Sequence, residues 1–126
     1  MIKGIGTDIL KVARIEKALL RTPKLAQRIL TASELEEFQL SSVPARFLAK
    51  RFAAKEAVVK ALGTGIRNGI GWQQIEIHKD ALGKPLVKLL GGALDRANQM
   101  SIDSAFISYS DEKEYVVAMV VLEGTA

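Results

Sequence analysis

At 126 residues and 13.7 kDa the chain has the length of one domain, 1–126, and 48% hydrophobic with 25% charged residues is the balance of a globular protein. With no cysteine it can build no disulfide scaffold, thiolate nucleophile, zinc finger or iron–sulfur cluster, and the cytoplasm is its expected address. Eighteen Lys and Arg against fourteen Asp and Glu leave a net charge of +4 and a pI near 9.5, which points to an anionic partner.

The N-terminal MIKGIGTDIL lacks the apolar stretch and cleavage site of a signal peptide. Its β-branched and small residues from Ile2 to Leu10 predict a strand, in which Gly4 and Gly6 mark a close approach to the backbone. Val12, Ile15 and Leu19 recur at helical spacing and predict an amphipathic helix from about Lys11 to Leu20, broken at Thr22-Pro23. A short helix over Lys24–Leu30 follows. Ser33-Glu34-Leu35-Glu36 reads as a capping box opening another helix, with Leu35 and Phe38 on its core side.

Ser42 and Pro44 start a long helix through ARFLAKRFAAKEAVVKAL that ends at Gly63, a residue suited to a left-handed cap. The glycine-rich stretch Gly63–Gly71 is a loop. Strands are expected at Gln73–Lys79 and Pro85–Leu90 around the turn Asp80–Lys84, and a helix over Gly92–Met100. Closing strands at Ser104–Ser110 and Glu114–Glu123 flank a turn at Asp111–Lys113. The apolar run Tyr115–Leu122 is too short to cross a bilayer and reads as a buried strand. These elements predict one α+β domain, a mainly antiparallel sheet packed against a long central helix.

The single histidine, His78, alternates with Ile75 and Ile77 and falls on the polar face of a strand. A metal here must therefore be held by oxygen, which favours a hard cation such as magnesium. On the central helix Phe47, Leu48, Phe52, Val58, Val59 and Leu62 share one apolar arc. Glu56 lies at its edge with Lys60 one turn on, either as a plain i, i+4 pair or as part of a site. Arg51 and Lys55 interrupt the same arc. Asp8, at the junction of first strand and first helix, is either an N-cap or a carboxylate that joins Glu56 on a divalent cation.

The loop Gly63-Thr64-Gly65-Ile66-Arg67-Asn68-Gly69 is not a Walker sequence. A phosphate bound there would rely on backbone N–H groups and basic side chains. Arg14, Lys17 and Arg21, with Lys24 and Arg28 just beyond, form a basic strip away from Val12, Ile15 and Leu19. Trp72, Tyr109, Tyr115 and the phenylalanines are mostly placed as core, so an acidic protein fits this strip better than nucleic acid. A small basic RNA-binding module is the alternative.

GIGTDIL, RFAAKEAVVKALGTGI, LGKP and SYSDEKEYVVAMVVLE, in this order and spacing, resemble the holo-acyl-carrier-protein synthase family, the short bacterial type of 4′-phosphopantetheinyl transferase. The resemblance covers essentially the whole chain. It implies an α+β fold, typically a homotrimer with a site at each subunit interface. It also implies magnesium-dependent transfer of phosphopantetheine from coenzyme A to a serine of apo acyl carrier protein, in support of fatty acid biosynthesis. Asp8 and Glu56 match the family's metal ligands, and Lys60 its contact to the coenzyme phosphates. Arg51, Gly63, Thr64, Gly65, Lys84 and Pro85 match segments lining the coenzyme pocket. Arg14, Arg21 and Arg28 match the helix that docks the acidic carrier. Lys60 then opposes the charge of the leaving phosphate, and Glu56, directly or through a water, accepts the serine proton. Where some members carry a histidine in the last turn, this chain has Asp111.

Overall fold

The chain enters as strand β1, Ile2–Lys11, and turns directly into helix α1, Val12–Arg21. Short helices α2 (Leu25–Ile29) and α3 (Ala32–Leu40) lead to the long α4 (Pro44–Leu62). A 3-10 turn at Trp72–Gln74 opens the hairpin β2 (Ile75–Lys79) and β3 (Pro85–Leu89), and α5 (Gly91–Gln99) precedes β4 (Ile102–Asp111) and β5 (Tyr115–Gly124). This computed structural model describes residues 1–67 and 69–125; Asn68 of the glycine-rich loop and Ala126 lie outside the described residues. No described helix is long and apolar enough to cross a membrane.

The α+β reading and the antiparallel pairing agree with the structure, but the strands form two sheets rather than one. β1, β5 and β4 pair in that order, and β2–β3 stands apart as a two-stranded ribbon. Pairing the two ends of the chain leaves no local signal in sequence. It is completed by the N-terminal ammonium, which donates to the Gly124 carbonyl at 2.9 Å.

Helix α4 lies across one face of the three-stranded sheet. Pro44 pre-sets its first turn, and Gly63 closes it in the left-handed region at φ 77°. Leu48, Val58, Val59 and Leu62 bury completely against Val116, Ala118, Val120 and Leu122 of β5, each large aliphatic side chain contributing about 1.5–3 kcal/mol.

Gly4 and Gly6 explain how closely helix and strand meet. A Cβ at Gly4 would stand 2.1 Å from the Ala61 carbonyl oxygen, and one at Gly6 1.9 Å from that of Ala57. Only glycine lets β1 lie on the backbone of α4. What approaches the first strand is therefore the central helix itself.

Two expectations are corrected by burial. Strand β5 is not buried on both faces: alternate residues are inside, while Tyr115, Val117 and Met119 face outward beside Ile5 and Ile9 of β1 and Phe106 of β4. Tyr115 and Phe106 are thus not core. The capping box of α3 is built on Thr31 rather than Ser33: Glu34 donates its N–H to Thr31 Oγ1 and returns a carboxylate oxygen to the Thr31 N–H. The box begins two residues earlier than expected because Glu34 must turn inward, where it is fully buried.

Candidate active site

The glycine contact delivers Asp8 to α4. Asp8 lies two residues beyond Gly6 on the same face of β1. Its Oδ1 accepts a hydrogen bond from Lys60 Nζ at 2.9 Å, and the same ammonium donates to the Thr7 carbonyl at 3.0 Å. Lys60 therefore reaches across to the strand instead of back along the helix to Glu56, which corrects the i, i+4 pair. The N-cap reading of Asp8 also falls, since Lys11 holds that position for α1.

Glu56 projects one turn before Lys60. Burial pushes its carboxyl above the ordinary range, and the nearby charge of Asp8 adds to this. The Trp72 indole N–H and the Lys60 ammonium pull the other way. That indole nitrogen is buried and, among the described residues, has no hydrogen-bond partner of good geometry, although it lies near enough to Glu56 to favour its charged form. Asp8, Glu56 and Lys60 thus form one cluster, two carboxylates and one ammonium.

The basic strip shares a groove with Trp72, the neighbour of Glu56. Arg14, Lys17, Arg21, Lys24 and Arg28 are all exposed. The first three rim a cavity of about 360 Å³ whose apolar wall includes Leu25, Phe52 and Trp72. Phe52 and Trp72 rings lie 5.7 Å apart and are half-buried. Sequence patterning placed both in the core, since an aromatic on a groove wall has the same periodicity as one in the interior.

Other expected site residues are distributed differently. The N–H groups of Gly63, Thr64 and Gly65 are turned back onto the carbonyls of Lys60 and Val59, closing the helix. They are not free to cradle a phosphate. Lys84 and Pro85 stand on the tip side of the β2–β3 hairpin, with the Lys84 N–H bound to Asp80 Oδ1. Arg51 is nearly fully buried, bonded to Glu34, Glu37 and the Ile77 carbonyl. Lys55, which also interrupts the apolar arc, joins the same internal cluster instead of the Asp8 site. Arg51 still edges a cavity of about 200 Å³ that it shares with Arg46, Lys50 and Lys79. Arg46 and Lys50 escaped the sequence reading, and Asp111 explains their position: its carboxylate oxygens hold Arg46 at 3.0 Å and Lys50 at 3.2 Å. The spacing on α4, with Arg46 four residues before Lys50 and five before Arg51, was the available signal.

A family model, the 4′-phosphopantetheinyl transferase superfamily, matches residues 4–120. The chain belongs to this superfamily. A holo-[acyl-carrier-protein] synthase of Pseudoalteromonas atlantica is 52% identical over 122 residues, covering 97% of each chain. Among solved structures, the synthase of Neisseria meningitidis matches with a TM-score of 0.90 at 46% identity, over 98% of this chain and 99% of that one. The Bacillus anthracis synthase, solved in complex with CoA (3′,5′-ADP), matches at 0.83 and 39% identity over 99% of each. These transferase relatives give no support to the RNA-binding alternative.

Proposed function

We propose that the chain transfers the 4′-phosphopantetheine group from coenzyme A to a serine of apo acyl carrier protein, giving holo acyl carrier protein and adenosine 3′,5′-bisphosphate in support of fatty acid biosynthesis. The observation that carries this reading is the meeting of Asp8, Glu56 and Lys60 across the β1–α4 contact, in a member of the transferase superfamily.

A magnesium ion fits the donor set. Asp8 already neighbours one cation, the Lys60 ammonium, and the mutual repulsion of Asp8 and Glu56 favours added positive charge between them. Among the described residues no group of three or more His, Cys, Asp or Glu converges. Two carboxylates suit an ion that keeps its waters and takes further ligands from substrate phosphates. Asp8 and Glu56 would hold it, and when bound it would neutralise charge on the pyrophosphate.

The chain's own groups do the rest. The serine Oγ attacks the phosphorus bearing the pantetheine arm, and the bond from that phosphorus to the bridging oxygen breaks. The bridging oxygen leaves with the adenosine bisphosphate. Lys60 faces the charge developing on the leaving phosphate. Glu56 accepts the serine proton on a carboxylate oxygen. Remaining anionic groups of the coenzyme are matched by Arg46, Lys50, Arg51 and Lys79, with Gly63, Thr64, Gly65, Lys84 and Pro85 shaping its surroundings. Arg14, Lys17, Arg21, Lys24 and Arg28 steer an acidic carrier to the groove beside Trp72.

The outward apolar face of the sheet supports assembly. Ile5, Ile9, Phe106, Val117 and Met119 are each 42% exposed or more, a contiguous patch of the kind that marks an interface. Further copies cover it in a cytoplasmic homotrimer, with each site completed at an interface. The deciding experiment is mass spectrometry of an apo carrier protein incubated with the enzyme, coenzyme A and magnesium. A gain of one phosphopantetheine, abolished by chelator, is expected; an unchanged carrier mass refutes the transfer, and continued transfer in chelator refutes the metal requirement.

A further inference from the structure

Beneath the candidate site lies a second charged cluster, of which the proposed transfer site draws on Arg51 alone. Glu34, Lys55 and Arg51 are 0%, 0% and 2% exposed. Glu34 Oε1 accepts from Lys55 Nζ at 2.6 Å and from the Thr31 N–H at 3.0 Å. Its other oxygen accepts from the Ile77 N–H at 3.0 Å and from Arg51 at 3.4 Å. One carboxylate therefore ties α3 to α4 and to β2. A buried charge set of this kind is weak evidence for stability, since apolar side chains of similar volume often do as well. Its connections make the difference here.

Lys55 is the residue before Glu56 on α4. Its ammonium, held by Glu34, also donates to the Ile29 carbonyl at 2.8 Å and to the Trp72 carbonyl at 3.1 Å. Lys55 thus grips the backbone of Trp72, while the indole of Trp72 packs at a tilt against Phe52 and lies beside Glu56. Among the described residues between Gly63 and Trp72 there is no other regular element to fix that ring. We propose that Glu34 is a positioning residue for the transfer site: through Lys55 it anchors Trp72, and Trp72 in turn sets the wall against which Glu56 and the docking groove are aligned. The proposal rests on the transferase reading for its kinetic consequence but not for its structural one.

The chain has a single tryptophan, so its fluorescence reports this anchor directly. In Glu34→Gln the Lys55 ammonium loses its ionic partner and its hold on Trp72 loosens. At a temperature well below melting, the expected result is a red-shifted Trp72 emission and a kcat lowered roughly ten- to hundred-fold, as for a misplacement of about 1 Å. The KM for coenzyme A should stay within about two-fold, because Arg46, Lys50 and Lys79 lie outside the anchor and Arg51 keeps its bonds to Glu37 and the Ile77 carbonyl. The double variant Glu34→Gln/Lys55→Met removes the buried Glu34–Lys55 charge pair and leaves Arg51 paired with Glu37. It should recover the melting temperature while keeping the red shift and the low kcat, which a merely structural role would restore along with stability. Wild-type emission and kcat in either folded variant overturn the proposal, and the double variant decides the matter if the single one does not fold. A wild-type preparation that transfers nothing sinks the transferase reading instead, and the emission comparison still judges the anchor.

Discussion

Replacing Gly6 by alanine tests the contact on which the site is built. The added Cβ would stand 1.9 Å from the Ala57 carbonyl oxygen and 2.9 Å from the Ala61 nitrogen, both backbone atoms of α4. No side-chain rotamer relieves such an overlap. Reaching even 3.0 Å, the near limit for real Cβ contacts, requires β1 and α4 to separate locally by about 1.1 Å. Overpacking of this kind typically costs about 1–3 kcal/mol and more where the backbone cannot yield. Asp8 sits two residues along the same face, so its 2.9 Å bond to Lys60 opens with the strand. A displacement near 1 Å at a reacting centre is worth about a hundred-fold in rate. We therefore expect Gly6→Ala to fold with a denaturation free energy lowered by at least about 1 kcal/mol and to lose about a hundred-fold in carrier modification followed by mass spectrometry. Ile5→Ala is the control, since Ile5 points to the outer face and is 56% exposed. A Gly6→Ala protein with wild-type stability and rate would refute the argument that strand–helix proximity makes the site.

Glu56→Gln is expected to lower transfer by at least about a hundred-fold, measured as holo carrier formed. The same change should raise the melting temperature of chelator-treated protein. A carboxyl whose folded pKa is raised above 4.5 binds more protons folded than unfolded, so its contribution to stability declines as pH rises through that window; the gain from Glu56→Gln should grow over the same interval and stay level above it. Calorimetry from pH 4 to 8 checks the sign. Reversing charge in Arg14→Glu/Arg21→Glu should raise KM for the carrier at least about ten-fold at low salt while leaving KM for coenzyme A unchanged; equal carrier kinetics at low and high salt in the wild type would remove the docking strip. Phe106→Asp/Met119→Asp should shift sedimentation from a trimer toward a monomer, because both side chains lie on the outer sheet face.

Lys55 shows how a local pattern can be legible yet be assigned to the wrong place. Its interruption of the apolar arc correctly signals convergent charge. The partner is Glu34, however, 21 residues away, and burial holds the lysine below its ordinary pKa despite that partner. The Glu56–Lys60 pair fails for a related reason: a long lysine chooses among acceptors in three dimensions, and the strand carboxylate wins over the residue four positions back along its own helix.

What the sequence determined by itself was the local structure: the helix ended by Gly63, the strand at each end, the basic strip, and the close approach announced by Gly4 and Gly6. Periodicity, capping and glycine sterics act within a few residues and are written in order along the chain. The tertiary structure alone decided which backbone meets those glycines, that Asp8 thereby reaches Lys60, that Trp72 walls a groove, and that the last strand keeps an apolar face outside. Those outcomes depend on pairing between segments as distant as β1 and β5. Such pairing is selected by the burial and hydrogen bonding of the whole chain at once, and no single stretch of residues encodes it.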